Sequence, residues 1–167
     1  MLHAKYLVPF AVLLSGCTFN LNPEPDEYTG SDAAHIRVED SGVTTFRVYN
    51  KVGNCYKKTS EKRLTSAITL IGLPTTTGKK IPGMKPSTDI GGLTMKEYSI
   101  QPGQRLSVVH YYDEVHTYGT YQKIFSASFI PKPNHDYDLI VGNYSINIKD
   151  LTNPDTKVES WNDKICD

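Results

Sequence analysis

The sequence predicts an all-β protein, an antiparallel β-sandwich of about seven to eight strands. Three observations carry that expectation. Apolar and polar residues alternate in short runs, the period that buries one face of a strand. Gly, Pro and Asn separate these runs at short intervals, where turns need them. Tyr, Thr, Ile and Val dominate the patterned segments, and the 11 tyrosines of the 167-residue chain suit a pleated, half-buried surface better than a helix.

Folded structure is expected from Ala34 onward. His35–Glu39 alternates, with Ile36 and Val38 on one face. Gly42 turns the chain, and Val43–Tyr49 follows with Phe46 and Val48 inward. Residues 50–58 read as a loop carrying Gly53, Asn54 and Cys55, Ser60–Leu64 as a single helical turn, and Ala67–Leu73 as a strand. The Gly/Pro/Thr/Lys-rich stretch Pro74–Gly92 reads as a hairpin, with Thr77-Gly78 at its turn and Lys80-Ile81 returning; segments this long are often functional. Thr94–Ile100 places Tyr98 and Ile100 on one face. Gln101-Pro102-Gly103-Gln104 is a tight turn, and Arg105–Tyr112 resumes with Leu106 and Val108 inward. Asp113–Tyr121 is expected as a loop. Ile124–Ile130 turns Phe125, Ala127 and Phe129 to the core, Pro131–Asn134 breaks it, and Tyr137–Val141 pairs with Tyr144–Ile148 around Gly142-Asn143.

Ahead of this domain, residues 1–16 have the layout of a secretory signal peptide. A basic start ends in Lys5, an apolar run extends from Tyr6 to Leu14, and small residues follow. The run of nine residues falls far short of the roughly 20 that cross a bilayer as a helix. Leu14-Ser15-Gly16-Cys17 resembles the lipobox of bacterial lipoproteins. The resemblance implies cleavage before Cys17, a diacylglycerol on its thiol and a third acyl chain on its new amino group. Each buried methylene contributes about 0.8 kcal/mol, so one chain holds marginally and three hold permanently. Inner-membrane lipoproteins carry aspartate after the cysteine; Thr18 therefore implies the outer membrane, facing the periplasm. Residues 18–33 are polar, acidic and Pro-containing, and read as a flexible tether of about 20–25 Å. The expected organisation is signal peptide 1–16, lipidated N-terminus and tether 17–33, and sandwich domain 34–167.

Loss of the leader removes Lys5, leaving 17 basic against 18 acidic side chains. So balanced a chain has no electrostatic claim on nucleic acid or on an anionic lipid surface. Two cysteines remain, Cys55 and Cys166. In an exported chain such a pair reads as a disulfide, because the compartment is oxidising. The alternatives are two free thiols or a metal site, although no neighbouring Cys or His has ligand spacing. Without a Cys-x-x-Cys the bond is structural.

The stretch Phe129-Ile-Pro-Lys-Pro-Asn-His-Asp-Tyr137-Asp-Leu139 resembles the corner of Greek-key sandwiches, where a tyrosine opening a strand bonds back to the preceding turn. With Glu97-Tyr98-x-Ile100-x-Pro102-Gly103 it is similar to small periplasmic lipoprotein domains of immunoglobulin-like or transthyretin-like form. Type VI secretion lipoproteins, which tether such a sandwich to the outer membrane, are one group of this kind. The likeness covers residues 95–141 and concerns fold, not activity.

His110, Tyr112, Glu114 and His116 would share a face if one strand ran through them, and two histidines with a carboxylate can bind zinc. That register would push Glu114 into the core unpaired, so a loop after Tyr112 and no metal site are expected. Tyr111, Tyr112, Tyr118 and Tyr121 around that loop make a possible partner contact, large in area and low in entropy cost. Asp113 with Glu114, or Asp136 with Asp138, are adjacent carboxylates without evidence of a shared site, and His135 reads as a solvated turn residue. No nucleophile elbow, zinc-protease motif or phosphate-binding Gly loop occurs. The expected function is a non-catalytic binding or structural module of the cell envelope, without cofactor, anchored to the membrane by lipid and meeting an envelope protein partner. The alternatives are a component of a secretion or envelope-spanning machine and a small hydrolase or metal-dependent enzyme.

Overall fold

The computed structural model describes residues 23–39, 42–65, 69–70, 73–74, 78–90, 95–142 and 144–166. The leader, Cys17 and Thr18 lie outside the described residues, as do Asn143 and most of the strand expected at Ala67–Leu73. The described residues form ten strands: β1 Ala34–Glu39, β2 Val43–Val52, β3 Cys55–Thr65, β4 Thr69–Leu70, β5 Leu73–Pro74, β6 Met95–Ile100, β7 Arg105–His116, β8 Gly119–Phe129, β9 Asp136–Val141 and β10 Ile146–Asp150. β4 and β5 pair with each other. The other eight form two four-stranded sheets, ordered β10-β9-β1-β6 and β3-β2-β7-β8. The expected sandwich is there, with one departure: β1 and β9 run parallel, His35 opposite Asp136 and Val38 opposite Leu139.

The core forms where the alternating residues of the two sheets meet. Ile36 and Val38 of β1, Tyr98 of β6 and Tyr137 and Leu139 of β9 face Phe46, Leu64, Leu106, Val108 and Phe129. Burying such side chains contributes about 1.5–3 kcal/mol each before entropy is subtracted. Two tyrosines bring hydroxyls into this layer and both are satisfied. Tyr98 donates across the sandwich to the Leu64 carbonyl at 2.7 Å. Tyr137 accepts from the Lys132 N–H at 2.9 Å, the bond that the corner pattern implied, and burial pushes its pKa up to about 12. The turn at Pro102-Gly103 has Gly103 at φ 76°, where a type II turn admits little else.

Several local expectations give way. Residues 50–58 are no loop, because β2 and β3 close on each other with Val52 opposite Cys55. Ser60–Leu64 is extended, not helical. The β2–β3 register shifts at Thr44/Thr45 and again at Val48/Tyr49, so two irregularities break the period-2 pattern that marks a strand. Of the hairpin expected at Pro74–Gly92, Thr77 at its turn and residues 91–92 lie outside the described residues, and residues 78–90 form a strap. Lys79 pairs in parallel with Lys96 of β6, and residues 81–87 bond to side chains on the outer face of the first sheet.

Residues 23–33, expected as tether, are docked. Pro23 accepts from the Arg63 N–H of β3 at 3.0 Å, and Tyr28 N–H donates to Ser99 of β6 at 3.0 Å. Glu24 pairs with Lys96 and Asp26 with Lys62, while the Glu27 carboxylate accepts from the Ser99 N–H. The segment therefore spans the two edge strands on one side of the sandwich, which covers edges that would otherwise invite pairing. At the other terminus, residues 151–166 close the end of the second sheet. Ile130 N–H donates to Glu159, and Tyr56 exchanges backbone bonds with Lys164 and Cys166. Trp161 is buried between them, its Nε1–H on the Leu106 carbonyl at 2.8 Å and its ring against Tyr49. Cys55 and Cys166 form a disulfide that fastens this tail to the start of β3.

Candidate binding surface

β7 and β8 outrun the sandwich. β2 stops pairing at Val43, opposite Tyr111. β7 and β8 continue together to His116 opposite Gly119. The expected loop Asp113–Tyr121 is thus a two-stranded arm with Thr117 and Tyr118 at its tip. The reason for a loop was that strand register would bury Glu114. The register is kept, but the strand has left the core by then, so Glu114 faces solvent and neighbours.

Local chemistry holds the arm together. Lys123, diagonal to Glu114, reaches its carboxylate at 2.6 Å, and His116 Nε2 lies 3.2 Å from the same oxygen. Hydrogen bonds from Lys123 and His116 keep the Glu114 carboxyl below the usual carboxylate range. Gln122 donates to Asp113 at 3.2 Å. The His116 ring packs edge-on against Tyr121. At the base, His110 is buried and bonded to the Thr44 hydroxyl at 3.0 Å, and burial depresses its pKa. Gly42, at φ 69°, makes room for it: a Cβ there would come within 2.8 Å of the imidazole.

His110, Tyr112, Glu114 and His116 do share one face by alternation. Yet His110 is enclosed at the base, while Glu114 is occupied by Lys123 and His116. Among the described residues, no group of three or more His, Cys, Asp or Glu is placed to hold a metal ion.

The four tyrosines separate into two kinds. The Tyr111 hydroxyl accepts from Arg47 at 2.7 Å and lies 3.4 Å from Glu61, which fixes it in a structural network on the outer face of the second sheet. Burial pushes the Glu61 carboxyl up, but hydrogen bonds from Lys58 and Arg47 outweigh it and hold it low. Tyr112, Tyr118 and Tyr121 are exposed, Tyr118 by 96%. Val115 (78% exposed), Ile124 and Tyr144 extend the apolar surface; Tyr144 packs edge-on against Phe125. A cleft of about 290 Å³ lies at the arm's root, lined by Thr45, Glu61, Arg63, Tyr111, Asp113 and Gln122.

A second cluster was missed from the sequence. Arg37, Glu97 and Asp138 are buried on the outer face of the first sheet. Arg37 donates to Glu97 at 2.8 Å, to Asp138 at 3.1 Å and to the Lys85 carbonyl at 2.8 Å. The strap completes the set: Ile81 N–H to Glu97, Lys85 N–H to Asp136 and the Ser87 hydroxyl to Asp138. Asp136 also takes His35 at 2.8 Å, and His135 reaches Asp150 at 2.8 Å. Burial raises the Asp138 pKa against the pull of Ser87 and Arg37. Both oxygens of Glu97, Asp136 and Asp138 have donors, so the group is a latch for the strap and no reactive pair. The alternation Asp136-Tyr137-Asp138 was visible as two adjacent carboxylates, but their proximity in sequence does not tell what that face meets.

No protein-family model, no curated protein and no solved structure matches this chain.

Proposed function

We propose that this protein is an outer-membrane lipoprotein, anchored through Cys17 and facing the periplasm, whose sandwich is a non-catalytic binding or structural module of the envelope. The observation that carries the reading is the lipobox-like Leu14-Ser15-Gly16-Cys17 behind a basic start and a short apolar run. The Cys55–Cys166 disulfide supports it, since such bonds persist in oxidising compartments. The satisfied carboxylates of the strap latch and the exposed aromatic arm favour a contact role over catalysis. The arm is equally the observation that would serve a secretion or envelope-spanning machine, as a feature that docks a partner.

The experiment is mass spectrometry of native protein with density-gradient fractionation of membranes. A mature chain beginning at triacylated Cys17, banding with the outer membrane and lost on Cys17→Ala, is the expected result. An unmodified Cys17 or a retained leader overturns the reading.

A further inference from the structure

Pro23, through which the domain joins the proposed anchor, and the aromatic arm lie at the same end of the domain. Pro23 bonds to Arg63, which lies opposite Thr45 on β2. The next residues of the docked segment run away from that end, towards Ser99 and Tyr28. Pro23, where the described residues begin, therefore sits towards the end where β2 begins. Two residues beyond Thr45, at Val43, the arm takes leave of the sheet.

Two lengths decide what the arm meets. Cys17 is six residues before Pro23, and six residues span about 20 Å at full extension. The arm rises six residues from Tyr111 to Thr117, also about 20 Å at strand spacing, and it starts two residues above the level of Pro23. An acylated Cys17 thus holds the bilayer surface no farther from Pro23 than the arm itself reaches. Pro23 and the arm are separated sideways by about three strand spacings, because β3 and β2 lie between them, roughly 15 Å, which leaves the heights comparable.

The arm's composition fits that position. Tyr118 at the tip, Val115 and Tyr121 are exposed, and tyrosine favours the headgroup level, where its ring is half in lipid and its hydroxyl in water. Glu114, the charge nearest these rings on that face, is neutralised by Lys123 and His116.

We propose that the β7–β8 arm docks on the bilayer that carries the anchor, with Tyr118 and Tyr121 in the headgroup layer. The domain then stands with the arm's end towards the lipid and the β2–β3 turn and disulfide away from it. This rests on the lipoprotein reading.

The test uses full-length lipidated protein in vesicles of phosphatidylethanolamine and phosphatidylcholine, with and without bromine on the phosphatidylcholine acyl chains. Trp161 is the single native tryptophan and is buried, so it supplies a steady background. Tyr118→Trp adds a reporter at the tip and Lys57→Trp one at the opposite end. The expected result is an about twofold loss of the added emission for Tyr118→Trp in brominated vesicles, since an interfacial ring lies within reach of the acyl chains, and none for Lys57→Trp. Intact-mass measurement on the same sample confirms three acyl chains. A triacylated protein with an unquenched tip overturns the docking and leaves the anchor standing; two copies per vesicle complex would then make a second copy the arm's occupant. Quenching at Lys57→Trp alone overturns the orientation. An unacylated Cys17 defeats the lipoprotein reading and the docking with it.

Discussion

Removing the disulfide is the most quantitative perturbation that the fold offers. Cys55 and Cys166 are 111 positions apart. In the chain-entropy model a loop of that size costs the unfolded ensemble about 16 cal/mol/K, or about 4.8 kcal/mol at 25 °C. Roughly 130 ordered residues at about 2.1 cal/mol/K each give an unfolding entropy near 0.27 kcal/mol/K. The double variant Cys55→Ser with Cys166→Ser should therefore melt about 15–18 °C below the oxidised protein, less where the unfolded chain keeps residual structure. Differential scanning calorimetry at neutral pH reads the shift. The tail's own contacts remain in the variant: Trp161 on Leu106 and Tyr49, and the bonds of Tyr56 with residues 164 and 166. The near-ultraviolet circular dichroism of Trp161 should thus be unchanged below the transition. A melting shift under about 3 °C would refute the unfolded-state account. So would early loss of the Trp161 signal, because the bond would then be acting by holding the native tail.

Three further outcomes follow from particular contacts. Tyr137→Phe leaves the Lys132 N–H without its acceptor and should cost about 1–2 kcal/mol, read as a melting shift of a few degrees. Arg37→Met strips the counter-charge from buried Glu97 and Asp138 and should cost about 3–5 kcal/mol. It should also loosen the strap, so that limited trypsin digestion cuts first at Lys80 or Lys85; unchanged cleavage sites would deny the latch. Glu61 has a depressed pKa in the folded state, so its contribution is complete above the ordinary carboxylate range and fades as pH falls through the depressed value. The stability gap between wild type and Glu61→Gln should accordingly shrink between about pH 5 and 3, as followed by urea titrations at each pH.

How much of this was legible depended on whether a segment's partner also left a mark in its own composition. β1, β6, β7 and β9 alternate cleanly, and Ile36, Val38, Tyr98, Leu106, Val108 and Leu139 sit where the pattern puts them. β3 was hidden because its outer positions are nearly all charged or hydroxylic and its register slips twice. The docked residues 23–33 carry no apolar period; backbone bonds and surface ion pairs hold them, and neither leaves a pattern. Trp161 and its tail were invisible for the same reason. The arm was misjudged from a sound premise, since burial of Glu114 follows only if the sheet continues beneath it. The strap latch shows the converse: a polar strand face need not meet water when a loop brings the donors. The parallel seam of β1 and β9 could not be read at all, because period alone does not distinguish strand direction.

That seam also sets when the molecule can close. His35 and Asp136 are 101 positions apart, and a chain that emerges N-terminus first displays β1 long before β9 has appeared. In the interval β1 has only β6 beside it, Tyr137 and Leu139 are missing from the interior, and Ile36 and Val38 are left in water. Pairing over such distances is slow, since the closure entropy must be met before any contact rewards it. Assembly is therefore late and nearly simultaneous. A chain arrested before β9 is complete would be a sticky open half-shell in need of protection until the rest of it arrives.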